Sequence, residues 1–170
     1  MTSVDVLNLG QWHDFFSTLG SGAAALTGLV FVAMSLNPVV LTEDPTHRYR
    51  SVGTLTGMAS VFVICELALM GGQNHVAVGI EWLATSGVSA LIFVLGYVFA
   101  SRGGGSLASL SLFRVMVGST LYIAEIAGAA LLSLGKVAGL FMAGASTVLL
   151  LAYMITGAWL LIVGVTARPS

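Results

Sequence analysis

Long apolar runs, separated by short polar or glycine-rich breaks, make up most of the chain. The first run, 16–36, reads FSTLGSGAAALTGLVFVAMSL and carries no charged side chain. At about 1.5 Å of rise per residue, a helix of this length crosses the roughly 30 Å hydrocarbon core of a bilayer. We therefore predict an all-α integral membrane protein that forms a single polytopic membrane domain over 1–170. Its five transmembrane helices are expected at about 16–36, 45–70, 78–100, 107–134 and 138–166.

Small residues recur every fourth position in several of these runs, and residues four apart lie on one helix face. These sets are Gly20, Ala24 and Gly28, then Gly53 with Gly57, and Gly135 with Gly139. Small residues at this spacing allow another helix to approach closely, which is how helices associate in lipid. We interpret them as helix-packing positions, within one chain or between chains. Three such faces also predict a homo-oligomer.

Composition agrees with a membrane protein, because 57% of the residues are hydrophobic and 8% are charged. A soluble domain carries about 25% charged residues. The net charge of −1, without a basic run, argues against a nucleic-acid partner. Trp12 and Trp82 are expected at the outer interface, where tryptophan is favoured.

The positive charges predict how the five helices are oriented. Lys136 falls on one side of the membrane, and the arginines fall on the other: Arg48, Arg50, Arg102, Arg114 and Arg168. The positive-inside rule then places the N-terminus outside and the C-terminus in the cytoplasm.

Two glutamates lie inside predicted spans, Glu66 in the second and Glu125 in the fourth. A carboxylate in hydrocarbon is costly, so each should face protein or water. At about 1.5 Å per residue they lie roughly 6 Å and 14 Å below the outer boundary, where they could share a cavity. One interpretation is a proton or cation pathway that includes Tyr122. The other is a neutral glutamate that locks the second and fourth helices together, with Ser60, Tyr122 or Thr156 as its partner.

A second group of polar residues falls near the outer side: His13, Asp14, His75 and Glu81. Histidines and carboxylates together suit a transition metal such as zinc, which makes these residues a weak metal-site candidate. We favour the simpler interpretation that they are ordinary loop and interface residues. The chain shows no P-loop, no GxSxG and no HExxH or CxxC pattern, so we predict no enzyme activity and no cofactor.

The segment Trp12-His13-Asp14-Phe15-Phe16, followed by GAAALTGLVFVAMSLN at 22–37, resembles the opening of a group of small bacterial membrane proteins. Members of that group are often labelled modulators of the FtsH membrane protease. The resemblance implies a multi-pass protein of the bacterial cytoplasmic (inner) membrane that binds the protease or its substrates. It brings no catalytic residues with it.

Two functions follow as hypotheses. The first is a non-enzymatic accessory or regulatory protein that acts through helix contacts with a larger membrane complex. The absence of a catalytic motif in an almost wholly membrane-embedded chain favours it. The alternative is an oligomeric proton or cation channel or transporter that uses Glu66 and Glu125. The buried acids favour this second hypothesis.

Overall fold

A computed structural model describes residues 9–36, 45–102 and 108–166. A 3-10 turn, Leu9–Trp12, leads into five α-helices. These are α1 (His13–Ser35), α2 (Pro45–Leu69), α3 (His75–Arg102), α4 (Ala108–Ser133) and α5 (Val137–Thr166). Each helix is long and apolar enough to cross a membrane. The prediction of an all-helical protein with five helices of membrane-spanning length is confirmed, whereas the orientation of the termini stays a prediction. Arg168, which contributes to that orientation argument, lies outside the described residues.

Local side-chain and backbone chemistry moves two helix boundaries from their predicted positions. Helix α3 begins at His75, earlier than expected, because the Asn74 side chain accepts a hydrogen bond from the Ala77 N–H at 2.9 Å. Helix α4 ends where the Lys136 N–H donates to the Leu131 carbonyl at 2.9 Å and Gly135 takes φ of 71°. This is a Schellman cap, which requires a left-handed residue that glycine supplies without strain. Gly135 therefore forms the turn between α4 and α5, a role that its predicted place in a helix-packing pair did not include.

Consecutive helices pack against each other in antiparallel pairs. Helices α2, α3, α4 and α5 close into a four-helix ring, because α2 also contacts α5. Helix α1 lies outside this ring, mainly against α2. We call the end that contains the start of α1, the α2–α3 turn and the α4–α5 turn the hairpin end.

The predicted small-residue positions divide into close contacts and open surface. A methyl group placed on Gly20 would lie 2.9 Å from Cys65 Cβ on α2. One on Gly57 would collide with Met154 on α5, and one on Gly139 would collide with Leu132 on α4.

The remaining predicted positions pack less closely. A methyl group on Gly53 would make an ordinary contact with Phe93, at 3.8 Å. Ala24 and Gly28 are exposed, and a methyl group on Gly28 would meet nothing within 4 Å. The α1 pattern therefore marks a contact at its first member and an uncovered face at the others.

Two close approaches between helix backbones occur at glycines outside the predicted sets. A methyl group on Gly79 would lie 2.7 Å from the Ser133 nitrogen, and one on Gly128 would lie 2.5 Å from the Ala143 nitrogen. These contacts bring α3 against α4 and α4 against α5 at backbone distance. They bring the polar side chains of these helices together inside the ring.

Candidate functional site

Glu125 lies in the interior of the four-helix ring. Its side chain is 0% exposed, and it stands eight residues before the end of α4, about 12 Å from that end of the helix. Burying an ionised carboxylate without a partner is far more costly than burying a hydrogen-bonded neutral group. The contacts of its two oxygens therefore decide what this side chain can do.

One carboxyl oxygen has a close partner on α5. Thr147 Oγ1 lies 2.6 Å from Glu125 Oε1 and 2.9 Å from the Ala143 carbonyl oxygen. A hydroxyl has one proton, and a carbonyl oxygen only accepts. When the carboxyl is protonated, it can donate to Thr147, which then donates to Ala143. When the carboxyl is ionised, the same hydroxyl can turn and donate to Oε1. Thr147 can therefore form a hydrogen bond with Glu125 whether the carboxyl is protonated or ionised.

The other carboxyl oxygen lies among polar atoms that make no direct hydrogen bond. Glu125 Oε2, Trp82 Nε1, Ser86 Oγ and the Tyr122 hydroxyl are all buried and unpaired among the described residues. Trp82 and Ser86 lie close enough to the Glu125 side chain to interact with it, and Tyr122 lies near it on the same helix. An unsatisfied buried polar group costs about 1–3 kcal/mol. An unpaired carboxyl oxygen with three other unpaired polar atoms near it marks a site that is not optimised for stability alone.

The donor and acceptor chemistry of the polar atoms near Glu125 distinguishes a metal cation from a proton as the ligand. A hard metal cation is bound by oxygen lone pairs. The indole N–H of Trp82 is a donor only and has no lone pair to offer, while the hydroxyls of Ser86 and Tyr122 can act as donors as well. This donor-rich set suits a carboxyl group that gains and loses a proton better than it suits a bare cation.

Aromatic side chains from the start of α1 cover this site at the hairpin end. The Phe16 ring, 1% exposed, makes an edge contact with Trp82 at a centroid distance of 5.9 Å. Trp12 makes a similar contact with Phe141 on α5 at 4.9 Å. Trp82 itself is 1% exposed and lies inside the bundle, while its depth relative to the membrane interface stays a prediction. Helix α1 buries it by packing Phe16 against it.

The two predicted glutamates lie in different environments. Glu66 is exposed, three residues before the end of α2, and its Oε1 would lie 3.5 Å from a methyl group on Gly20 of α1. Glu125, in contrast, is wholly enclosed. The expectation that both carboxyls face one cavity is therefore not met.

The hydrogen-bond partner of Glu125 is one that sequence reasoning missed. Thr156 was one expected partner, but its hydroxyl donates instead to the Tyr153 carbonyl at 2.7 Å on an exposed surface. Thr147 is the partner observed. Glu125 stands ten residues before Gly135 and Thr147 twelve residues after it. Residues at similar distances from a turn meet in an antiparallel pair, and that symmetry is the signal that could have found Thr147.

The four candidate metal ligands do not come together. His13 Nδ1 and Asp14 Oδ1 lie 3.4 Å apart on an exposed surface at the start of α1. His75 lies against Gly135, and Glu81 accepts a hydrogen bond from the Gln73 side chain at 3.0 Å. Within 9–36, 45–102 and 108–166, no three histidine, cysteine or acidic side chains form a group that could hold a metal ion. The weak metal site is therefore not assembled.

Comparisons with protein-family models, with curated proteins and with solved structures give no match for this chain. The resemblance of the first helix to the FtsH-modulator group stays a prediction.

Proposed function

We propose that this protein is a non-enzymatic, multi-pass membrane protein that binds and releases a proton at Glu125 as part of transport across the membrane. One observation carries the proposal: a fully buried carboxyl whose Oε2 is unpaired among three other unpaired polar atoms. An ionisable residue inside a membrane bundle is a functional candidate by default, because it is expensive to keep there. A location in the bacterial cytoplasmic membrane, with the N-terminus outside, belongs to the same proposal.

The surroundings supply a physical account of both proton states. In the protonated carboxyl, Oε1 can donate to Thr147, which donates to the Ala143 carbonyl, while Oε2 has no partner among the described residues. After the proton leaves, the Thr147 hydroxyl can turn and donate to Oε1, and Ser86 and Trp82 carry further donors near the carboxyl. A hydrogen bond to a charged group contributes about 1.5–3 kcal/mol, so such bonds offset part of the cost of the buried charge.

Proton flux in proteoliposomes tests this proposal. We expect flux driven by a pH gradient in the unchanged protein, loss of that flux in Glu125→Gln, and no accompanying sodium or potassium flux. Glu81→Gln is the matched control, since Glu81 lies at the hairpin end, is only partly buried and is bonded to Gln73. Glu66→Gln tests whether the exposed carboxyl also takes part. Unchanged flux in folded Glu125→Gln, or no flux in the unchanged protein, would overturn the proposal.

A second candidate function is the accessory role through helix contacts, with a membrane protease complex as the partner that the resemblance implies. It is favoured by the uncovered α1 face at Ala24 and Gly28. That face borders a groove of about 420 Å³ between α1 and α2. The groove is lined by Thr27, Gly28, Phe31, Leu55, Thr56 and Ala59. A neighbouring helix, from another protein or from a second copy of this chain, would find close approach possible here.

Crosslinking in native membranes distinguishes this role from transport. If the face is a docking surface, Gly28→Leu should abolish the crosslinked product, because the larger side chain blocks close approach. Gly22→Leu is the control, since a methyl group on Gly22 also meets nothing within 4 Å but lies on a different side of α1. Equal products from both variants would contradict the accessory role at this face.

A further inference from the structure

We infer that Arg114 binds a phosphate group, from a lipid headgroup or from free phosphate, in the cleft between α2, α4 and α5. This site lies at the end of the bundle opposite the hairpin end. It goes beyond the proposed function and does not depend on Glu125.

The Arg114 side chain lies against two other helices of the ring. Its guanidinium carbon stands 5.2 Å from the centroid of the Tyr153 ring on α5. A methyl group placed on Gly157, also on α5, would lie 2.7 Å from Arg114 Nη2 and 3.5 Å from Thr54 Oγ1 on α2. The absence of a side chain at Gly157 therefore makes room for the guanidinium between α5 and α2.

The neighbouring hydroxyls do not neutralise this charge. Tyr153 donates its proton to the backbone carbonyl of Arg114 at 2.8 Å, and Thr54 donates its own to the carbonyl of Arg50 at 3.0 Å. Both hydroxyls then offer only lone pairs to the guanidinium, which has five N–H donors. The ion pair of His13 with Asp14 lies at the hairpin end, away from Arg114. Among residues 9–36, 45–102 and 108–166, Arg114 has no carboxylate partner.

Position and charge favour phosphate as the missing partner. Arg114 stands six residues after the first residue of α4, about 9 Å along the helix from that end, and a long arginine side chain can extend from there towards lipid headgroups. Arg50 is a second arginine near Tyr153. The planar guanidinium matches two phosphate oxygens at once. The side chain is only partly buried, so a ligand can reach it.

Two measurements on the purified full-length protein test the site and separate the sources. In the first, phosphatidylglycerol is added in detergent and the bound lipids per chain are counted by native mass spectrometry. In the second, inorganic phosphate is added and the shift in thermal unfolding temperature is recorded. We expect Arg114→Gln to weaken binding by about tenfold or more, the effect of losing one charge-assisted contact. The matched control is Arg48→Gln, because Arg48 is exposed near the same end of the bundle.

A third variant keeps the test valid if Arg114→Gln fails to fold. Gly157→Ala retains both arginines but places a methyl group against Arg114 Nη2, so it should displace the guanidinium and weaken binding. A loss confined to the lipid measurement assigns the site to a headgroup, and a loss confined to the phosphate measurement assigns it to the free ion. Either result supports the site. Unchanged binding in Arg114→Gln or Gly157→Ala, or an equal loss in Arg48→Gln, would overturn it.

Discussion

Replacement of Thr147 by valine tests the hydrogen bond on which the Glu125 site is built. Valine has nearly the same shape as threonine but lacks the hydroxyl that lies 2.6 Å from Glu125 Oε1. Oε2 is already unpaired, so the variant leaves the whole buried carboxyl without a partner. An unsatisfied buried polar group costs about 1–3 kcal/mol, whereas hydrogen bonds between membrane helices average about 0.6 kcal/mol and reach about 1.7 kcal/mol. We therefore expect a loss of about 1–2 kcal/mol in the free energy of unfolding.

The assay is reversible unfolding in mixed micelles with increasing denaturing detergent, followed by circular dichroism. Thr27→Val is the matched control, because the Thr27 hydroxyl also donates to the carbonyl four residues earlier, at 2.7 Å, but contacts no carboxyl. We expect that control to change stability by less than about 0.5 kcal/mol. Glu125→Gln combined with Thr147→Val closes a double-mutant cycle and isolates the pair. Equal losses in Thr147→Val and Thr27→Val would refute the assignment of a stabilising bond to Glu125.

Two further predictions concern glycines. Gly128→Ala should destabilise the bundle by about 1–3 kcal/mol, because its methyl group would press on the backbone nitrogen of Ala143. Gly28→Ala should be neutral or stabilising, because nothing lies within 4 Å of the added methyl group. Similar unfolding midpoints for the two variants would contradict the close α4–α5 approach. Gly135→Ala should cost about 1–2 kcal/mol because φ of 71° is left-handed, and an unchanged thermal midpoint would show that the turn is not under this constraint.

The interior of the ring is electrically asymmetric along its length. Glu125 lies in the half near the hairpin end, and Arg114 lies in the half near the other end. A proton that crosses the whole bundle would have to pass close to the positive charge of Arg114, which repels it. We therefore expect Glu125 to exchange its proton with the hairpin end. A phosphate on Arg114 would lower the barrier towards the other end by neutralising that charge.

The five helices and most of their ends follow from local properties of the sequence. Helix length, apolarity and breaks are local, so runs such as 16–36 predicted helices of membrane-spanning length that the structure contains. The turn at Gly135 is equally local, because a glycine that can adopt a left-handed conformation ends a helix without help from distant residues. The Asn74 cap is local as well, although its signal was missed and the start of α3 was placed too late.

Only the tertiary structure decided which side of each helix faces protein. Gly20 and Gly28 share one spacing pattern. A methyl group on Gly20 would contact Cys65, whereas one on Gly28 would meet nothing within 4 Å. Glu66 and Glu125 occur in similar apolar runs, yet one is exposed and the other wholly buried. The physical reason is that these helices are apolar on almost all sides, so their pattern carries little directional information. Burial then depends on how neighbouring helices are rotated and how closely their backbones approach, and those are properties of the assembled bundle.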